Sequence, residues 1–213
     1  MFITFEGVEG SGKTTQIQNT LNFFRKAGYE PVVTREPGDT KIGRKIRSIL
    51  LAPENNEMSS LCELFLYEAD RAQHIFEVVG PSIRAGKIVL CDRFIDATIV
   101  YQGIARGIDK NFIEKIHEIV VQDIKPDLTI LFDLDFKIGL KRTFKALKNG
   151  ERVLAETRFE QEKMEFHQKI RNGYLELAAK EKQRFFIVDA SLNCDQVFEQ
   201  ILYGIRERIG ILK

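Results

Sequence analysis

Met1-Phe2-Ile3-Thr4-Phe5-Glu6-Gly7-Val8-Glu9-Gly10-Ser11-Gly12-Lys13-Thr14-Thr15 is the stretch that decides how the rest of the chain is read. Phe2–Glu6 has the apolar character of a short buried strand. Gly7 to Thr14 fits GxxxxGK[ST], and Ile17, Leu21 and Phe24 follow at i, i+4 and i+7, the spacing of one helix face. Strand, glycine-rich loop and helix in this order make a phosphate cradle. The loop folds tightly with its N–H groups inward, and the helix N-terminus adds positive potential. Gly7, Val8, Glu9, Gly10, Ser11, Gly12, Lys13, Thr14 and Thr15 are therefore candidate nucleoside-triphosphate contacts. Lys13 would reach the terminal phosphates, and the Thr14 hydroxyl would ligate Mg²⁺.

Outward from this unit, apolar runs of strand length alternate with helical periods. Pro31–Thr34, Ile88–Cys91, Leu128–Leu134 and Phe185–Val188 read as further strands. Helices are expected over Thr14–Ala27, around Ile42–Leu50, from Ser60 to about Val79, around Ile113–Val120, from Phe136 to near Gly150, through Phe166–Leu177, and from Asp195 onward. Ser60-Leu61-Cys62-Glu63 and Thr157-Arg158-Phe159-Glu160 match the capping box, and Asp195 reads as a cap of the last helix. Strands that are apolar without alternation, separated by helices, argue a five-stranded parallel sheet covered on both faces, a three-layer α/β/α arrangement. No repeat, low-complexity segment or linker divides the 213 residues, so one domain over 1–213 is expected. Ligands of such sheets sit at the carboxyl ends of the strands, which brings Gly7, Arg35 and Asp92 to one rim.

Composition removes several classes of function. The net charge is +1, without the basic excess of a nucleic-acid binder. No apolar run reaches the ~20 residues of a membrane span, and no signal peptide opens the chain, so a cytoplasmic protein is expected. Cys62, Cys91 and Cys194 are odd in number and widely spaced. His74, His117 and His167 lack metal-ligand spacing. The NKxD motif of guanine-specific switches is absent.

On the other side of the rim, Asp92 follows the apolar strand Ile88–Leu90. Its carboxylate can hold a water on Mg²⁺ while Arg93 clamps phosphate oxygens. Arg35, Arg47, Arg71 and Arg158 can turn toward the same place. Tyr67 and Arg71, four residues apart, share a helix face and offer a planar base a stacking surface and an edge donor.

These residues belong to a longer series: Thr34-Arg35-Glu36-Pro37-Gly38, Ile46-Arg47, Ala69-Asp70-Arg71-Ala72-Gln73-His74, Asp92-Arg93-Phe94-Ile95-Asp96, Tyr101-Gln102-Gly103, Pro126-Asp127-Leu128-Thr129 and Gly173-Tyr174-Leu175-Glu176-Leu177-Ala178. In this order and spacing the chain resembles the bacterial thymidylate kinases, P-loop nucleoside monophosphate kinases, over about residues 2–190. The resemblance implies transfer of the ATP γ-phosphoryl group to dTMP with Mg²⁺. It implies that Tyr67 stacks on thymine, that Arg71 and Gln102 bond its edge with Thr98 close by, and that Tyr101 lies beneath the deoxyribose. Glu9 would meet the sugar 3′-hydroxyl region. Arg47 and Arg93 would hold the acceptor phosphate, with Pro37 in the same pocket. A lid at about 145–162 would supply a catalytic arginine, Arg158 first and Arg152 second, beside Lys13 and Arg93. A homodimer packed through helices is implied, with Ser60–Val79 as a candidate face. Asp39, Ala97 and Phe94 depart from the family pattern, which usually has Gly, Ser, and Tyr or His there.

Overall fold

The computed structural model describes residues 1–150 and 154–209. Its strands β1 (Phe2–Gly7), β2 (Val32–Arg35), β3 (Val89–Asp92), β4 (Leu128–Asp133) and β5 (Phe185–Asp189) pair in parallel in the order β2-β3-β1-β4-β5. The expected five-stranded parallel sheet is the one that forms. Phe5 faces Asp92 on one side and Ile130 on the other, and Arg35 pairs with Asp92 across β2 and β3. The chain first winds to one side of β1 and then crosses to the other. The carboxyl ends of β1, β2 and β3 therefore adjoin at a switch point of the kind that binds ligands in open α/β sheets.

Burial follows position in the sheet. Every residue of central β1 is buried, as are the first five of β4. The edge strands β2 and β5 leave Val33 and Ile187 exposed. Ile3, Phe5, Leu90, Leu128 and Ile130 are fully buried. Each contributes roughly 1.5–3 kcal/mol relative to an exposed side chain.

The helices are α1 (Lys13–Lys26), α2 (Lys41–Leu51), α3 (Ser60–His74), α4 (Gly80–Arg84), α5 (Ile95–Thr98), α6 (Lys110–Val121), α7 (Phe136–Lys148), α8 (Met164–Lys180) and α9 (Cys194–Ile209). The paired helices α1 and α9 cover the sheet from β3 to β5, while α8 packs on β4 and β5 and on the segment after α5. No helix of the described residues is long and apolar enough to cross a membrane.

Three expected caps are corrected. Helix α3 is capped by Ser59, whose Oγ accepts from Cys62 N, and not by Ser60; Glu63 is thereby free of capping and 1% exposed. The Thr157–Glu160 match opens no long helix. Only a 3₁₀ turn, Phe159–Gln161, forms there, and α8 begins at Met164. At α9 the N–H of Gln196 goes to Asn193 Oδ1, while Asp195 lies in the first turn.

Two π-helical stretches were not anticipated. Ile75–Val79 joins α3 to α4, where Pro81 lacks the N–H that a regular helix needs. Ile99–Ala105 continues α5, with Arg106 N donating to Tyr101 O five residues back.

The phosphate loop is set by backbone crowding. Gly12, at φ 91°, is the left-handed residue from which α1 departs. A Cβ on Gly10 would lie 2.2 Å from Gly139 O, and one on Gly139 would lie 2.1 Å from Glu9 O. The loop and α7 therefore touch backbone to backbone. Gly139→Ala improves helix propensity, by up to ~1 kcal/mol, yet forces the two backbones apart. A net destabilisation of about 1–3 kcal/mol is expected in urea unfolding. A variant as stable as the parent would show that this contact does not set the loop.

Candidate functional site

At the carboxyl ends of β1, β2 and β3 lies a cavity of about 630 Å³. One end is the glycine-rich loop, where Glu9 to Thr15 line the wall. Gly7 and Val8 do not line it. Their carbonyl oxygens instead accept from Lys13 Nζ at 3.1 and 3.0 Å, with Ser11 Oγ at 3.3 Å. The ammonium is 7% exposed as a residue, so burial pulls its pKa down to about 8. Arg93 adds to that fall, and Asp92, Glu9 and Glu6 oppose it. Thr14 and Asp92 line the same cavity. Asp92 Oδ1 is buried and accepts no hydrogen bond among the described residues. A hydroxyl and a hard carboxylate oxygen fit Mg²⁺, an ion carried largely by phosphates and water. The described residues hold no cluster of three or more His, Cys, Asp or Glu for a metal bound by protein alone.

Arg93 follows β3 in the left-handed region at φ 69°, a conformation that costs a bulky residue of order 1–3 kcal/mol. The turn swings its guanidinium into the cavity. There it donates to Glu9 Oε1 (3.2 Å) and Tyr174 Oη (3.1 Å) and lies 5.1 Å from the centre of the Tyr101 ring. Tyr101 also donates to Glu9 Oε1 at 2.5 Å. Burial pushes the Glu9 carboxyl up, but Arg93, the Tyr101 hydroxyl and Lys13 outweigh it and hold it below the usual range. Beneath them Glu6 accepts from Tyr174 Oη and Phe94 N, both at 2.7 Å. Burial, with the Asp96 carboxylate, raises its pKa to about 8.

Arg47 lines the cavity from α2, donating to Pro37 O and forming a two-pronged pair with Glu156 at 2.9 and 2.7 Å. Farther along stand Tyr67, Arg71, Thr98, Tyr101 and Gln102. Arg71 is 1% exposed and pairs with Glu36 and Glu68, and donates to Thr98 Oγ1 and Phe94 O. Burial would depress its pKa; the two carboxylates outweigh that and raise it. Tyr101 and Gln102 reach the wall from within the π-helical turn, a form common at functional sites.

Of the expected site residues, Arg158 is the one that the structure does not bring to the cavity wall, apart from the supporting Gly7 and Val8. It is 4% exposed, with Nε donating to Leu50 O (2.5 Å) and Nη2 lying 2.7 Å from Glu63 Oε2. Arg152 lies outside the described residues. Asp39 accepts from Thr34 Oγ1 at 2.6 Å and is not in the wall, whereas Ala97 and Phe94 are.

Sequence reading missed Phe159, edge-on to Tyr101 and tilted against Tyr67. It also missed Arg142, Thr143 and Ala146 of α7 beside the loop. These three sit at i+3, i+4 and i+7 from Gly139, so one helix face carries all four. That face was readable once Gly139 was placed against the loop. Removing one member of a buried ion pair typically costs about 3–5 kcal/mol. Arg158→Ala is therefore expected to lose that order of stability in thermal or urea unfolding. A variant of parental stability with a collapsed kcat would return Arg158 to the chemistry.

The thymidylate kinase family model matches residues 5–201. The thymidylate kinase of Desulforapulum autotrophicum is 62% identical over 211 residues, 99% of this chain and 93% of that protein. That of Maridesulfovibrio salexigens is 46% identical over 209 residues, 98% of this chain and 96% of that protein. The crystal structure of thymidylate kinase from Ehrlichia chaffeensis superimposes with a TM-score of 0.77 at 32% identity, covering 97% of this chain and 98% of that one. With a P-loop opening into an arginine-lined cavity and relatives matched along nearly their whole length, the chain is an enzyme of the thymidylate kinase family.

Proposed function

We propose that this enzyme converts dTMP to dTDP by moving the γ-phosphoryl group of ATP onto the dTMP phosphate. The observation that carries the reading is the continuity of one cavity from the Lys13 loop, past Arg93, to the wall of Tyr67, Arg71 and Gln102. A phosphate acceptor is already an anion and needs no general base, so catalysis reduces to positioning and charge stabilisation. Lys13 and Arg93 neutralise the two approaching anions. Glu9, fixed by Tyr101 and Arg93, is placed for a sugar hydroxyl. Its depressed pKa makes it a poor base, which weighs against a kinase of free hydroxyls. Tyr67 and Phe159 offer ring faces to the base, and Arg142 and Thr143 flank the ATP side. The Thr14 hydroxyl and the Asp92 carboxylate would hold Mg²⁺, which would add neutralisation of phosphate charge. Arg47 takes the acceptor phosphate once its pair with Glu156 opens. Arg158 enters the chemistry only by leaving Glu63 and Leu50 O.

Leu61, Phe65, Phe76, Phe112 and Ile119 are exposed on α3, the π turn after it and α6. That apolar surface fits the proposed homodimer. A cytoplasmic location and the absence of nucleic-acid partners belong to the same reading.

A coupled assay of ADP release across dTMP, dUMP, thymidine, CMP and AMP with Mg²⁺ tests the reaction. Turnover is expected with dTMP and measurably with dUMP, because one methyl group is worth only ~1–3 kcal/mol in an apolar pocket. Thymidine, CMP and AMP are expected to be poor. ATP binding with dTMP left untouched would end the proposal.

The depressed Lys13 pKa adds a pH dependence. The charged amine binds phosphate, and in the free enzyme it loses its proton near pH 8. Above that pH, binding must take up a proton, so affinity falls as pH rises. By calorimetry MgADP is expected to bind about tenfold more weakly at pH 9 than at pH 7, with the dependence lost in Lys13→Met. Equal pH dependence in parent and variant would assign it elsewhere.

A further inference from the structure

Glu63 lies on α3 at 1% exposure, outside the cavity wall, and is surrounded by three donor side chains from two distant segments. Its Oε1 accepts from Gln102 Nε2 at 2.8 Å and from Arg106 Nε at 3.2 Å. Its Oε2 accepts from Arg106 Nη2 at 3.1 Å and faces Arg158 Nη2 at 2.7 Å. A carboxylate flanked by two guanidiniums is an acceptor only, so it can face just one end of an amide, the NH₂ end. The Gln102 carbonyl oxygen is thereby turned the other way, and it accepts no hydrogen bond among the described residues. Gln102 is itself 1% exposed and lines the cavity beside Thr98 and Arg71.

Arg71 is committed in the complementary sense. A guanidinium has five N–H donors. Glu36, Glu68, Thr98 and Phe94 O take one each, and one Nη2 hydrogen remains for the cavity. The wall thus shows a donor from Arg71 and an acceptor from Gln102.

We propose that Glu63 is a positioning residue for base reading: by capturing the Gln102 amide nitrogen it fixes the carbonyl oxygen toward the ligand, so the cavity selects pyrimidines bearing N3–H over cytosine. The inference rests on the functional reading above. Thymine and uracil offer a carbonyl beside an N–H, which complements this pair. Cytosine offers an amine beside a bare ring nitrogen and meets donor with donor and acceptor with acceptor. Unpaired polar groups in a closed site are what make such discrimination steep.

Kinetics with dUMP and dCMP remove the 5-methyl group from the comparison. Glu63→Gln presents an amide to an amide, so Gln102 can sit in either orientation. The ratio of kcat/KM for dUMP over dCMP is expected to fall by at least about tenfold, with a smaller loss on dTMP itself. Equal losses on both substrates, leaving the ratio unchanged, would make Glu63 a purely structural residue and overturn the proposal. Should Glu63→Gln fail to fold, Glu63→Asp serves. It keeps the charge facing Arg106 and Arg158 but withdraws the carboxylate from Gln102, with the same expected and overturning results. Gln102→Leu separates the two levels of inference. If it collapses the ratio while the Glu63 variants do not, Gln102 reads the base and the positioning role fails. If it leaves the ratio intact, the base-reading assignment of Gln102 fails first, and this proposal with it.

Discussion

The paired carboxylates around Arg71, Arg93 and Arg158 are the constraint under which the rest of this structure operates. A phosphate-handling cavity needs cations, and taking a guanidinium out of water costs several kcal/mol unless it is paired and hydrogen-bonded. Arg71 meets that demand with Glu36 and Glu68, Arg93 with Glu9 above Glu6, and Arg158 with Glu63. The near balance of 32 basic and 31 acidic residues is the global counterpart of this local arrangement. Positive charge is supplied at the cavity by placement, without a net positive field over the whole chain.

Placement in turn comes from the sheet. Because β3 lies between β1 and β2, the residues ending three strands emerge side by side, and loops of quite different length converge on one volume. Each wall is then fixed by an independent device. Backbone contact between Gly10 and Gly139 sets the end at the glycine-rich loop, the left-handed Arg93 turn sets the middle, and the π-helical turn lies at the end lined by Tyr101 and Gln102.

What could be read from the sequence divides along the same line. The P-loop was legible because its glycines, lysine and flanking elements are contiguous, and the parallel sheet because every pair of successive apolar strands is separated by at least one helix. The residues of the cavity wall were legible mainly through family resemblance, since Arg47, Tyr67 and Gln102 are separated by long stretches. The capping boxes misled because Glu63 and Glu160 look local but are buried. Nothing near Glu63 in the chain announces Arg158, which folds back onto it. Ile99–Ala105 escaped for another reason: its hydrogen bonds span five residues, and no 3.6-residue apolar period marks it.

That widened turn has a bearing on how the family can drift. In a regular helix successive side chains diverge by about 100°, and a longer hydrogen-bond loop changes where each one points. Here the loop closed by Arg106 N and Tyr101 O carries one residue more than an α-turn, and both Tyr101 and Gln102 line the cavity. The segment is accordingly tolerant of changes in side-chain identity at its outward positions, such as exposed Ile104. It is intolerant of changes in length. Losing one residue would restore an ordinary helix and turn the side chains beyond the deletion by about 100°, so the presence of both Tyr101 and Gln102 in the wall depends on the length of 99–105.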